Sequence, residues 1–279
     1  MKARIKFQKY GAMKFIGHLD VMRYFQKLCR RAEIDNEYSK GYSPHQIMSF
    51  AAPLGVGLTS DGEYLDIQLL SSEESNIMIE RMNGASAEGI RIIGFQPLMD
   101  PIENQRVATA MSLVASADYL VSLKDGYFLG EIISQEEFQK QFSTFLSQAE
   151  IVINKKTKNS EMDVDIKPMI TLSAFDEIDY NQTLISLVAP EDSIQRANKD
   201  QGATLLSESV AQHYENGILL YLQVDTGSAA NLKPELVIEA FCNSLDIPFE
   251  KYAWQVHRLE VYTRDVESNK IIPLNQLER

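Results

Sequence analysis

Cysteine is nearly absent from this 279-residue chain: only Cys29 and Cys242 occur, far apart and within helix-like patterns. Two such thiols do not make a disulfide framework, and a reducing cytoplasm is the expected location. Long apolar runs are missing too. Nothing approaches the roughly 18–20 uninterrupted apolar residues that a membrane helix needs, so no membrane partner is expected. The first residues, MKARIKFQKYGAMKF, lack the apolar block of a secretory signal.

Catalytic and cofactor signatures are equally scarce. There is no three-cysteine cluster for an iron–sulfur centre and no paired-cysteine spacing for zinc. A phosphate loop ending in Gly-Lys-Ser/Thr, an HExxH helix and a nucleophile elbow are all missing. Gly55-Val56-Gly57 lies between strand candidates rather than at a strand-to-helix turn, so it is no dinucleotide fingerprint. No catalytic residue, cofactor or metal ligand is assigned from sequence.

Basic residues are outnumbered, 27 Lys and Arg against 39 Asp and Glu, for a net charge of −12. That total argues against indiscriminate nucleic-acid binding. The distribution is uneven, however. Residues 1–50 hold ten basic and four acidic side chains, a net +6, which leaves −18 for the rest.

What is present is an orderly alternation of elements. Residues 2–8 alternate charged and apolar side chains, as a half-buried strand does. A helix is predicted from about His18 to Ala32, with Leu19, Met22, Phe25, Cys29 and Ala32 on its apolar face. Strands are predicted at 46–51 and 63–70. A helix capped by Ser72 and ending near Asn83–Gly84 follows, then a strand at 89–95. This order, β-α-β-β-α-β, is that of a ferredoxin-like unit.

The second half repeats it with insertions. A strand at 119–123 leads to a helix at 135–149 capped by Ser134. A hairpin of 151–156 with 163–167 comes next, then short strands at 170–172 and 184–188. A helix is expected around Ala203–Tyr214, a strand at 217–224, a helix from Pro234 to Ser244 and a strand at 254–263. The expected class is α+β with antiparallel sheets, built as tandem ferredoxin-like units. Residues 1–98 and 117–265 would form the units, 99–116 a connector and 266–279 a peripheral tail.

Two features point to binding. On the first helix, Arg23, Lys27, Arg30 and Arg31 form a polar stripe with Asp20. Cations at i, i+4 repel unless an anion relieves them, and Arg can take phosphate bidentately. The plain alternative is a solvated face balanced by Asp20 and Glu33. The second feature is the loop Ser39-Lys40-Gly41-Tyr42-Ser43-Pro44-His45, which gathers Lys40, Tyr42 and His45 in a turn suited to a phosphate or a stacked base. An ordinary turn with a surface histidine is its plain alternative. His18 is a weaker candidate for a general base, with capping or packing of the helix as its plainer use.

Three further segments carry weaker signals. Thr226-Gly227-Ser228 offers backbone amides at a helix start, where an anion can be cradled, but a helix entry with capping residues is the favoured reading. Pro53 to Gly57 permits close backbone approach, and a plain hairpin-like linker explains it equally well. On the last strand, alternation puts His257 and Leu259 on one face and Arg258 and Glu260 on the other, with a cross-strand ion pair as the expected use.

Phe15 to Leu19, Asp20, Arg23, Arg30, Arg31, Ser39, Gly41, Tyr42, Pro44, His45, Ser49, Phe50, Pro53 to Gly57, Ser60, Glu63 and Tyr64 resemble a bacterial family. It is the family linked to radical S-adenosylmethionine proteins by fusion or gene neighbourhood. Val164 to Pro168, Asn231 to Glu235 and His257 to Tyr262 are similar to its C-terminal motifs. Where its pattern has a Pro-Lys pair after the histidine, this chain has Gln46 and Ile47. The resemblance implies a radical S-adenosylmethionine protein as partner and no characterised activity.

The expected function is therefore a non-catalytic accessory component that presents a substrate, RNA, to that partner. Its contacts would come from Arg23, Lys27, Arg30, Arg31, Lys40, Tyr42 and His45. Docking of the partner on the same face without nucleic acid, and a metal-independent ribonuclease using His18 or His45, are the alternatives.

Overall fold

The computed structural model describes residues 1–98, 108–156, 161–189, 203–204, 208–227, 230–265 and 267–277. The protein is α+β, with six helices and a mostly antiparallel ten-stranded sheet among these residues. The strands of the first half are β1 (Lys2–Lys9), β2 (Met48–Phe50), β3 (Thr59–Gln68) and β4 (Ile90–Leu98). Helices α1 (His18–Arg31) and α2 (Ser75–Ala85) connect them. β1 lies between β3 and β4, and β2 pairs with β3, every pair antiparallel.

The second half contains α3 (Ala110–Leu113), β5 (Ser116–Leu123), α4 (Gln135–Leu146), the hairpin of β6 (Val152–Lys156) and β7 (Glu161–Asp165), and β8 (Ile170–Ala174). It continues with α5 (Glu177–Leu187), β9 (Ala203–Thr204), β10 (Leu219–Asp225), α6 (Pro234–Ser244), β11 (Trp254–Arg264) and β12 (Ile271–Pro273). Here β5 lies between β10 and β11, and β8 pairs with β10. The halves join where β11 runs parallel to β3, His257 opposite Thr59 and Arg258 opposite Ser60.

Each half has its own core on the helical face. Ile5, Phe7, Leu65 and Ile67 pack under Val21, Phe25, Leu28 and Cys29 of α1. Phe25 stands among Phe7 and Phe50, with ring centroids 4.6 and 5.7 Å away. In the second half Phe138, Phe142 and Phe145 of α4 meet Phe241 of α6 at 5.1–5.7 Å between centroids. Aromatic groups of this size each bury large apolar areas, and truncating one to Ala typically costs about 3–5 kcal/mol.

The sheet's other face in the first half is polar but covered. Arg4 holds Asp66 through two bonds of 2.8 and 3.1 Å and donates to the Leu274 carbonyl. Lys6 pairs with Glu260 at 2.6 Å, and the Tyr64 hydroxyl donates to the same carboxylate. Asp61 accepts from Gln8, His257, Ser209 and the Val210 amide. Residues 208–210 and 274–275, which cross this face, turn a row of charges into an internal network. It presents no open sheet surface there.

Several expected elements differ. Of residues 184–188, expected as a strand, 184–187 form the end of α5 and Val188, its C-cap, is extended and bridges Ile271; Asp176 caps the helix start by accepting from the Asp179 amide. Asp caps and two acids in the first turn outweigh the strand-like run TLISLV. Of the helix expected around Ala203–Tyr214, Ala203–Thr204 is a strand against β4 and 208–214 is not helical, while 205–207 lie outside the described residues. Glu74, not Ser72, is the N-cap of α2, without a side-chain hydrogen bond. The tail beyond Asp265 is not peripheral: β12 pairs with β11, and Leu274 is fully buried. Residues 99–107 of the expected connector lie outside the described residues. No helix among the described residues is long and apolar enough to cross a membrane.

Candidate functional site

The helical pattern of α1 fixes where its charges go. Val21, Phe25, Leu28 and Cys29 are buried, so Arg23, Lys27 and Arg30, at i, i+4 and i+7, point into solvent. Leu19, expected on the apolar face, is instead 61% exposed, as is Phe15 at 66%. Arg23 pairs with Asp20 at 3.1 Å, an exposed i, i+3 contact worth at most a few tenths of a kcal/mol. Arg30 donates to the Gln26 carbonyl, and Arg31 donates twice to the Ala85 carbonyl at the end of α2. Among the described residues, Lys27, Arg30, Arg31 and Lys40 take part in no ion pair. Glu33, the other acid expected to balance this face, does not reach them either.

The loop 39–45 is closed on itself. The Ser39 amide donates to the His45 carbonyl, the His45 amide to the Ser39 hydroxyl, and that hydroxyl also meets His45 Nδ1 at 2.9 Å. Gly41 has φ of +120°, a conformation that favours glycine. Tyr42 is fully exposed and Lys40 and His45 are exposed. No hydrogen bond, ion pair or ring contact among the described residues joins this loop to the cations of α1. His18 packs edge-on against Phe50 at 5.2 Å, which is its plainer use.

A second site lies at the seam. A cavity of about 600 Å³ opens between the Pro53–Gly57 loop, Met111, Tyr119, the Thr226–Gly227 turn and the start of α6. Its cations are Arg258, Lys233 and Lys251, its carboxylate Glu235. Arg258 stands between Tyr119 on β5 and Ser60 on β3. Only 2% exposed, it donates to the Ala52 carbonyl at 2.6 Å and forms an ion pair with Glu63. Its Nε has no hydrogen-bond partner among the described residues. Burial drives Glu63 upward in pKa, more than the Arg258 and Lys9 charges lower it. Lys9 is likewise buried, and desolvation holds its pKa below the ordinary lysine value despite Glu63.

The sequence placed Arg258 and Glu260 on one face. A bulge at Leu259 separates them: Arg258 is opposite Tyr119 while Glu260 is opposite the adjacent residue, Asp118. Gly62 makes room for that bulge, since a Cβ there would lie 2.8 Å from the Leu259 carbonyl oxygen. The ion pairs are therefore two, Arg258–Glu63 on the helical face and Lys6–Glu260 on the other. The Thr226 and Gly227 amides, which could have cradled an anion, donate instead to the Ala115 and Ala230 carbonyls; Ser228 lies outside the described residues. Tyr119, Lys233 and Lys251 carried no signal of their own in the sequence. Only the Asn231–Glu235 and His257–Tyr262 runs marked the segments that hold two of the cavity's cations.

No curated protein matches the chain. A bacterial family model matches residues 2–205, covering both α1 and the Pro53–Gly57 wall of the cavity, while Lys233, Lys251 and Arg258 lie past the matched segment. Because that match spans well over half of the chain, the protein belongs to the family described as "Uncharacterized protein conserved in bacteria (DUF2344)".

Proposed function

We propose that this protein is a non-catalytic accessory component that holds RNA for a radical S-adenosylmethionine partner, using the exposed face of α1 and the loop at 39–45. The observation that carries this reading is the row Arg23, Lys27 and Arg30. Apart from the exposed Arg23–Asp20 pair, its cations stand free of carboxylates among the described residues, on an otherwise acidic chain. Rows of solvated cations bind phosphate backbones without reading sequence, and exposed rings such as Tyr42 supply stacking surfaces. The covered polar face of β1 and β3 leaves the helix and loop, not the sheet, as the surface for the nucleic acid. The partner is suggested by the motif resemblance alone.

The scaffold in this reading is two ferredoxin-like units, 1–98 and 117–265, joined edge to edge. Supporting it are the strand orders β4-β1-β3-β2 and β11-β5-β10-β8, each with the first and third strands of its unit at the centre. The hairpin β6–β7 and the α5–β9 segment would be insertions in the second.

The test is fluorescence anisotropy with a labelled single-stranded RNA, comparing the wild type with Arg23→Ala/Lys27→Ala/Arg30→Ala. Loss of about tenfold or more in affinity supports the reading, and unchanged affinity removes α1 from it. A second reading rests on Phe15, Leu19 and Val56, all about two-thirds exposed. There α1 and its entry docks the partner enzyme directly. Absence of RNA binding, with complex formation lost in Phe15→Ser/Leu19→Ser, would favour it.

A further inference from the structure

The seam cavity does not balance its charges. Arg258 and Lys9, each 2% exposed, share the single buried carboxylate of Glu63. At the cavity wall Lys233 and Lys251 face one further acid, Glu235. With Lys9 and Glu63, which stand behind Arg258 and do not line the cavity, four cations are set against two carboxylates, an excess of two positive charges around it in a protein whose total is −12. The unpartnered Nε of Arg258 adds an unmet donor. A buried donor or charge without compensation is costly, so groups of this kind are found where something else completes them.

The rest of the wall is apolar. Leu54, Leu58, Val114 and Leu232 line it, and Tyr119 stands directly across from Arg258 on the neighbouring strand. A volume of about 600 Å³ falls within the range of small-molecule sites, which combine apolar walls with a few convergent polar groups. An excess of two charges matches a dianionic head better than a carboxylate. The guanidinium fork of Arg258 suits phosphate oxygens.

We propose that this cavity binds a small organic phosphomonoester. Arg258, Lys233 and Lys251 hold its phosphate, and its apolar or aromatic body lies against Leu54, Leu58 and Tyr119. The site is separate from the α1 surface and does not depend on RNA binding there.

Phenyl phosphate is the probe, titrated calorimetrically into the full chain beside its two halves, inorganic phosphate and phenol. At about 10 mM, where even a millimolar site fills, phenyl phosphate binds and raises the unfolding temperature. Inorganic phosphate binds at least about tenfold more weakly, and phenol does not bind. Lys233→Ala/Lys251→Ala, both at exposed positions, weakens phenyl phosphate by about tenfold or more while the variant stays folded. Arg23→Ala/Lys27→Ala/Arg30→Ala leaves it unchanged. No binding of phenyl phosphate to the wild type, equal binding of inorganic phosphate, or indifference to loss of both lysines would each overturn the proposal.

Discussion

Arg258 on β11 and Glu63 on β3 form a buried ion pair across the line where the two halves of the sheet meet, 195 residues apart in the chain. Lys9 of β1 shares the same carboxylate electrostatically. The three side chains tie the two halves of the chain together, and Arg258 alone of them lines the cavity.

Because Glu63 serves two cations, the two ways of breaking the pair are unequal. Glu63→Gln leaves Arg258 and Lys9 buried without a counter-charge and is expected to cost about 3–5 kcal/mol. Arg258→Met leaves Glu63 with Lys9 and costs less. Urea unfolding of both variants gives the comparison, and equal losses would mean that Lys9 does not act as the second counter-ion.

Asp118 is buried beneath Tyr180, Tyr262 and Gln223, which donate to its carboxylate at 2.7–2.8 Å. Burial outweighs these bonds and pushes its pKa up to about 6. A carboxyl whose folded pKa is raised binds more protons folded than unfolded. Its contribution therefore falls as pH rises from about 4 to about 6, by roughly 3 kcal/mol. In urea unfolding from pH 4 to 7.5, Asp118→Asn should lack this decline. A wild type and variant with parallel pH profiles would refute the assignment.

Asp61 behaves in the opposite sense. Burial would raise its carboxyl, but the bonds from His257, Ser209 and Val210 outweigh that and hold it below the ordinary value. Its stabilisation is therefore complete at neutral pH and is lost as pH falls below about 3.8 toward the folded pKa. In Asp61→Asn the amide NH2 meets donors that the carboxylate accepted. Exchange of the Val210 amide hydrogen should then quicken by at least about tenfold. An unchanged rate would show that Asp61 does not anchor residues 208–210.

Gly89 joins α2 to β4 with φ of +95°, and a Cβ there would lie 2.5 Å from Met13 Cγ and 2.8 Å from the Tyr10 carbonyl oxygen. Gly126 has φ of +84° with nothing within 4 Å. Gly126→Ala thus carries backbone strain alone, about 1 kcal/mol. Gly89→Ala adds a collision with backbone and should cost clearly more in thermal unfolding. Equal costs would remove the collision from the account.

Much of this architecture is legible as periodicity. The i, i+4 stripe of α1, the Ser134 cap of α4 and Pro234 at the start of α6 each carry a local signal, and each lies where that signal puts it. Residues 184–188 misled because a short apolar run rich in branched side chains suits a strand or a buried helix equally. Leu19 misled because Val21 and Leu28 flank Phe25 as well as Leu19 and Met22 do, and tertiary contact alone chooses the side. Several segments of the cavity wall are marked in the sequence, but not that they come together. Its walls come from residues within 51–58, 111–119, 226–227, 231–235 and 251–258, which converge only because β11 inserts between β5 and β3.

The salt dependence of RNA binding tests the central claim most directly. For binding carried by Arg23, Lys27, Arg30 and their neighbours, the logarithm of affinity should fall linearly with that of salt concentration, with a slope near −0.7 per phosphate contacted. In the triple Ala variant the slope should be shallower by about two. A wild type that binds no RNA at about 50 mM salt, or whose slope is the same in the variant, would contradict it.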